Sequence, residues 1–189
     1  ELKGEGELNE ANELLRQVFT ETVLETQSEL ERDSLTDFLN RRYFEDKINN
    51  YLLSSKSCGT FFMMDLDNFK QVNDTYGHKA GDWVIRKTGE ALGRLAAEDS
   101  LPFRFGGDEF LLLTREESGI TAESIRQSIA AVCKEEPSPI REPLEVSIGV
   151  ILAPWDSEYN MDVYLNQADE AMYEEKKMYH EKYGDRRRR

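Results

Sequence analysis

The stretch Arg104-Phe105-Gly106-Gly107-Asp108-Glu109-Phe110 constrains the fold more than any other in the chain. Apolar, strand-like residues flank it: Leu101, Phe103 and Phe105 before, Phe110 to Leu113 after. Two adjacent glycines between such runs predict a tight hairpin turn, because glycine takes positive φ with no Cβ clash. Asp108 and Glu109 then put two carboxylates at the turn, beside a glycine backbone with no side chains to block close approach. Such a tip repels itself unless a cation sits there. For Gly-Gly-Asp-Glu alone, a solvated acidic turn is the simplest reading. A second acidic cluster, Asp65 and Asp67, shifts the balance toward a ligand site.

The chain of 189 residues reads as one domain plus an extension: an N-terminal helix over 1–32, a domain over 33–180, and a basic, disordered tail over 181–189. A formal net charge of -14 argues against nucleic acid or an anionic membrane as partner, since both need a basic surface. It leaves a phosphate ligand open, because a metal ion can invert the local sign. Cys58 and Cys133 lack metal-ligand spacing and read as free thiols in a reducing compartment, which points to the cytoplasm. No apolar run reaches the roughly 18 residues of a membrane span, so direct membrane contact is not expected. Because the chain opens on Glu1 rather than Met, it reads as a piece of a longer protein whose upstream, sensory or membrane-anchored part precedes it.

Residues 7–32 contain neither Gly nor Pro and predict one helix. Leu8, Ala11, Leu15 and Val18 have heptad spacing, which Thr22 and Glu25 interrupt. A coiled-coil connector and a helix packed on its own domain both fit. Asn40 is a good N-cap for a helix burying Tyr43, Phe44 and Ile48. Thr60–Leu66 predicts a buried strand with Asp65 at its C-terminal end. A short helix stopped by Gly77 follows, then a longer one opening at Gly81-Asp82 with Trp83, Val84, Thr88, Ala91, Leu92 and Leu95 inward. Ala122–Lys134 predicts an amphipathic helix carrying Ile125, Ile129, Ala130 and Val132. Leu144–Leu152 predicts a strand, and Met161–Met178 a last helix with Val163, Leu165, Ala168, Ala171, Met172 and Met178 inward. The sum is an α/β (α+β) sandwich: a mixed sheet, helices on its outer faces, and Asp65 beside the hairpin tip.

Converging Asp65, Asp108 and Glu109 would raise one another's pKa and destabilise the site unless a hard divalent cation joined them. Oxygen ligands favour Mg²⁺ or Mn²⁺, and two such ions suit phosphoryl or nucleotidyl transfer. Lys70 and the backbone after Asp65 would meet phosphates. Asn73 and Asp82 supply an amide and a carboxylate, and a carboxylate accepts the N1–H and N2–H of guanine, which adenine does not offer. Taken singly, Lys70 reads as a surface lysine, Asn73 as a turn residue and Asp82 as a helix-initiating residue. Together in one compact stretch they read as a ligand site.

From Asp33 to about Lys176 the chain resembles the GGDEF domain, the diguanylate cyclase family. The motifs that carry the resemblance are Asp33-x-Leu35-Thr36 with Asn40-Arg41-Arg42; Asp65-x-Asp67-x-Phe69-Lys70-x-x-Asn73-Asp74; Gly77-His78-x-x-Gly81-Asp82; Arg104-x-Gly106-Gly107-Asp108-Glu109-Phe110; Ser147-Ile148-Gly149; and Ala168-Asp169-x-Ala171-Met172-Tyr173 with Lys176. The resemblance implies a palm-like fold of the nucleotide-cyclase type. It implies condensation of two GTP into cyclic di-3′,5′-GMP and two pyrophosphates, with two copies of the domain facing each other. On the same ground Asp65 and Glu109, with the Leu66 carbonyl, would hold Mg²⁺ or Mn²⁺, two ions per active site. Asp108 would be the base for the 3′-hydroxyl or share the metal. Asn73 and Asp82 would read guanine, the latter favouring GTP over ATP. Phe69, Lys70 and Lys176 would flank the phosphates, with Gly106 and Gly107 leaving room for substrate.

Three departures stand out. Asp37 replaces the family's usual Gly after Leu35-Thr36, a change expected to affect only a turn. Tyr179-His180-Glu181 stand where Gly-Arg-Asn is frequent, removing a phosphate-contacting arginine. Ala97 and Ser100 occupy the positions of the Arg-x-x-Asp product-inhibition site. The leading expectation is an active cyclase serving as the output module of a larger signalling protein. The alternative is a catalytically idle domain that binds GTP and regulates a neighbour, although idle members typically lose acidic residues that this chain keeps. A polymerase palm is disfavoured by the acidic charge and small size. Titrating cyclic di-GMP into a turnover assay should leave the rate unchanged; strong noncompetitive inhibition would contradict the reading of Ala97 and Ser100.

Overall fold

A computed structural model of the chain describes residues 30–48, 59–96, 100–115, 118–153 and 160–183. The chain divides into two compact units, Glu1–Arg32 and Asp33–Arg189. Residues 7–29 of the helix expected over 7–32, residues 184–189 of the expected tail, Cys58 and Ala97 lie outside the described residues; of the rest, Leu30 is helical, Glu31 and Arg32 are not, and residues 181–183, expected to be disordered tail, are the end of the helix Met161–Tyr183.

The second unit contains a five-stranded mixed sheet. In chain order its elements are β1 (Leu39–Asn40), helical segment α1 (an α turn Arg41–Tyr43 continued by π-helical Phe44–Ile48), β2 (Gly59–Leu66), α2 (Phe69–Tyr76), α3 (His78–Leu95), β3 (Leu101–Gly106), β4 (Glu109–Arg115), α4 (Ala122–Val132), β5 (Val146–Ala153) and α5 (Met161–Tyr183). Strand β1 runs parallel to β3; the β3–β4, β4–β2 and β2–β5 pairings are antiparallel. This is the expected α+β sandwich with a β-hairpin.

Alternation along the strands makes two cores, because successive side chains point to opposite faces. Phe62, Met64 and Leu66 of β2 and Phe110 and Leu112 of β4 pack with Val84, Ile85 and Leu92 of α3 and with Ile125 and Ile129 of α4. On the other face Phe61, Met63, Leu111 and Leu113 pack with Phe44, Phe103 and the α5 residues Met161, Ala168 and Met172. Both faces are covered, so the central strands read as continuous apolar runs. Phe61, Phe62, Phe103 and Phe110 are fully buried, each contributing about 1.5–3 kcal/mol by removal from water.

Helix α3 opens at His78 rather than Gly81, because Gly77, at φ 83°, ends α2 and starts α3 with no loop between them. On α5 the inward stripe is Met161, Leu165, Ala168 and Met172. Val163 and Met178 fall off that stripe and are 47% and 61% exposed. Ala130 is likewise on the outer side of α4, whose buried residues are Ile125, Ile129 and Val132. Strand β5 starts at Val146, two residues after Leu144, and α5 runs to Tyr183. The two-residue strand β1 was not foreseen; it is too short to leave a periodic signal. Asn40 does cap the next helix, its side chain accepting from the Tyr43 N–H at 3.1 Å.

The segment before β1 is tied to the hairpin by one ion pair. Asp33 Oδ1 accepts from the backbone N–H groups of Leu35 and Thr36 and from the Thr36 hydroxyl. Its Oδ2 accepts from Arg104 Nη1 at 2.7 Å, and the same guanidinium donates to the Gly107 carbonyl through Nη2 at 2.8 Å. Asp37, in this loop, has φ 60°. That left-handed conformation explains why a glycine would suit the position, and aspartate is among the residues that tolerate it. Burial alone would raise the Asp33 pKa, but the Thr36 and Arg104 hydrogen bonds and the Arg104 charge outweigh it and hold it below 3.8. A depressed carboxylate stabilises the fold fully above its unfolded pKa, and that contribution fades as pH falls through the folded value. Asp33→Ala should therefore cost about 2–4 kcal/mol at pH 7, leaving Arg104 without its carboxylate. In urea melts the gap to the parent should narrow below pH 3.8; a gap independent of pH would contradict the pairing.

Candidate active site

The β2–β4 register places Asp65 opposite Glu109. Both lie on the α5-facing side of the sheet, by the same alternation that puts Phe61, Met63, Leu111 and Leu113 there. Two neighbouring strands thus end in carboxylates side by side, where like charges directly opposite are destabilising. Burial raises the Glu109 pKa above 4.5, and the charges of Asp65, Asp108 and Asp169 raise it further, with only Arg41 opposing.

The hairpin that carries Glu109 turns at Gly107-Asp108, with Gly106 still paired to Glu109 across a bulge at Phe105. Gly106 and Gly107 have φ 151° and 49°, which an L side chain would adopt only with strain. A Cβ on either would meet nothing within 4 Å, so the tip is sterically open. The turn is anchored to the sheet on its other side, where the Leu66 N–H donates to the Asp108 carbonyl at 3.1 Å.

Helix α5 supplies the counter-charge. It lies unusually close to β5: a Cβ on Gly149 would sit 2.0 Å from the Ala168 carbonyl and 2.4 Å from the Met172 nitrogen. One turn beyond Met172, Lys176 Nζ donates to Asp65 Oδ1 at 2.5 Å. Glu175, its neighbour, accepts from Arg126 Nη2 at 2.5 Å and from the Ile148 N–H, which ties α4, α5 and β5 together. Asp67 is buried beside this group and accepts from the Ser147 hydroxyl at 2.8 Å and 3.0 Å.

Of the residues expected to form a site, Asp65, Leu66, Asp108, Glu109 and Lys176 meet at this end of the sheet. Phe69, Lys70 and Asn73 lie on α2, which begins directly after the left-handed Asn68. Lys70 is exposed, and Phe69 packs partly against the larger core. Asp82 lies in the first part of α3, joined to α2 through the Gly77 hinge. Among the described residues no group of three or more His, Cys, Asp or Glu side chains is gathered tightly enough to hold a metal; the pair Asp65–Glu109 stands with Lys176 instead. Sequence reasoning gave no role to Arg41, whose guanidinium sits 5.8 Å over the Phe105 ring near Glu109, nor to Asp169. Both were inside quoted motifs, but nothing in their spacing pointed toward Glu109. Tyr179 to Glu181 continue α5 as helix.

No helix among the described residues is long and apolar enough to cross a membrane. Residues 30–182 match the family model described as diguanylate cyclase, GGDEF domain. The chain is 35% identical over 151 residues to the probable diguanylate cyclase DgcT of Escherichia coli K12, covering 77% of this chain and 33% of that protein. It is 32% identical over 167 residues to the diguanylate cyclase DosC of the same organism, covering 85% and 35%. It therefore spans about a third of the length of these relatives. The coiled coil and GGDEF domain of DgcB from Caulobacter crescentus, solved with c-di-GMP, superposes with a TM-score of 0.72 over 92% of this chain and 94% of that one; at 22% identity it shows the shared fold. With the motif turn, the sheet order and the family match in agreement, the chain belongs to the GGDEF-domain family of diguanylate cyclases.

Proposed function

We propose that this domain condenses two GTP into cyclic di-3′,5′-GMP and two pyrophosphates where two copies of it face each other. The observation that supports the reading is the register pair Asp65–Glu109 beside an open glycine turn. GGDEF diguanylate cyclases generally require a divalent metal. The donor set here fits one: Asp65 and Glu109 carboxylates and the Leu66 carbonyl are all hard oxygen ligands, and burial, together with the charges of Asp65, Asp108 and Asp169, raises the Glu109 pKa, a strain that a bound cation would relieve. Two Mg²⁺ or Mn²⁺ per site, when bound, would acidify the 3′-hydroxyl and neutralise the α-phosphate and leaving pyrophosphate.

The protein's own groups then have distinct tasks. Asp108, at the turn, takes the proton of the attacking 3′-hydroxyl or shares the metal. Each 3′-oxygen forms a bond to the α-phosphorus of the facing GTP, and each α–β bridging P–O bond breaks to release pyrophosphate. Lys176 and Lys70 hold phosphate oxygens, with Lys176 exchanging Asp65 for the triphosphate. Phe69 closes the phosphate segment, and Gly106-Gly107 leave the approach clear. Asn73 and Asp82 contact guanine. The domain would work in the cytoplasm, driven by an upstream sensory region.

A catalytically idle, GTP-sensing domain is the second reading. The Lys176–Asp65 pair favours it, because an ammonium already neutralises one of the two carboxylates without metal. Incubation with GTP and Mg²⁺, followed by product analysis, separates the two. Cyclic dinucleotide from the parent, and a loss of at least about 100-fold in Asp108→Ala, Glu109→Ala, is the expected outcome. GTP binding without turnover at high protein concentration would instead establish the sensor.

A further inference from the structure

Gly81 lies in α3 with ordinary negative φ, so its backbone conformation does not call for glycine. Glycine is a poor residue inside a helix, and alanine would be the better helix former. The surroundings supply another reason. Gly81 is buried, and a Cβ built on it would fall 2.1 Å from Asn73 Oδ1, 2.9 Å from Asn73 Cγ and 3.2 Å from Asn73 Nδ2. All three nearest atoms belong to one side-chain amide, and Asp82 is the next residue along.

The hinge between α2 and α3 makes this contact. The Gly77 N–H donates to the Asn73 carbonyl at 2.9 Å, and the Ala80 and Gly81 N–H groups donate to the Gly77 carbonyl at 3.0 Å and 3.4 Å. These bonds fold the end of α2 onto the first turn of α3, so that the Asn73 amide rests on the bare α-carbon of Gly81. Any larger residue would drive the amide away by roughly 1 Å or more before ordinary contact returned.

We infer that Gly81 is a positioning residue: its missing side chain is the seat that fixes the Asn73 amide beside Asp82 and so sets recognition of the purine base. The inference rests on the reading of Asn73 and Asp82 as guanine contacts given above. A polar group displaced by about 1 Å loses most of a directed contact, whereas the phosphate-side residues Asp65, Glu109 and Lys176 stand on β2, β4 and α5 and are untouched by the change.

The test uses the whole chain and four proteins: parent, Gly81→Ala, Asn73→Ala and the double variant. Affinities for GTP and for pyrophosphate, each with Mg²⁺, are measured by calorimetry, and thermal midpoints are recorded. Gly81→Ala should weaken GTP binding at least tenfold and leave pyrophosphate affinity within twofold. The double variant should bind GTP no more weakly than Asn73→Ala alone, because the amide to be displaced is gone. In the Asn73→Ala background, Gly81→Ala should also raise the thermal midpoint, a result that stands even if the single Gly81→Ala protein fails to fold. Unchanged GTP affinity in a folded Gly81→Ala, additive penalties, an equal loss of pyrophosphate, or a lowered midpoint in the Asn73→Ala background would each overturn the inference. A parent that binds pyrophosphate but not GTP would overturn the guanine reading, and this inference with it.

Discussion

Everything at the active end of this domain depends on the pairing of β2 with β4. Antiparallel register puts Asp65 across from Glu109, and alternation sends both toward α5. Slipping the pairing by one residue would turn every side chain of the strand to the other face. Phe61 and Met63 would then exchange places with Phe62 and Met64, and Asp65 would enter the larger core. The apolar packing on both faces therefore fixes where the carboxylates go. Like charges directly opposite in a sheet cost on the order of 1 kcal/mol, a cost that the packing of four buried phenylalanines readily offsets.

The second constraint is how closely α5 approaches the sheet. Gly149 lets the Ala168 carbonyl and Met172 nitrogen come down onto β5, and Lys176 follows one turn later to reach Asp65. Gly81 performs a comparable role between α2 and α3, where the Asn73 amide meets the helix backbone. In both places a glycine in unstrained conformation is spent on proximity. The two bring the charged and the base-facing ends of the site into position from different pairs of elements.

Much of this was legible in the sequence. Asp65 at a strand end, the glycine turn, the Asn40 cap and the Gly77 stop each rest on local chemistry that a few residues express by themselves. The bulge that makes Gly107-Asp108 the turn was not legible, since it arises from how β3 and β4 slide past each other. Nor was β1, which exists only because Leu39 and Asn40 meet Phe103 and Arg104. The Asp33–Arg104 latch joins residues 71 positions apart, and no periodicity connects them. Val163 and Met178 read as inward because they are apolar, but the stripe on α5 is set by its contact with β5.

The central claim is that Asp65 and Glu109 are crowded without a metal and relieved by one. Thermal melts of the nucleotide-free protein at pH 7.5, with and without Mn²⁺, for the parent and Glu109→Gln, test it most directly. The account predicts that Mn²⁺ raises the midpoint of the parent, that Glu109→Gln melts higher than the parent without metal, and that the variant responds weakly to Mn²⁺. A parent indifferent to Mn²⁺, or a metal-free Glu109→Gln less stable than the parent, would contradict it.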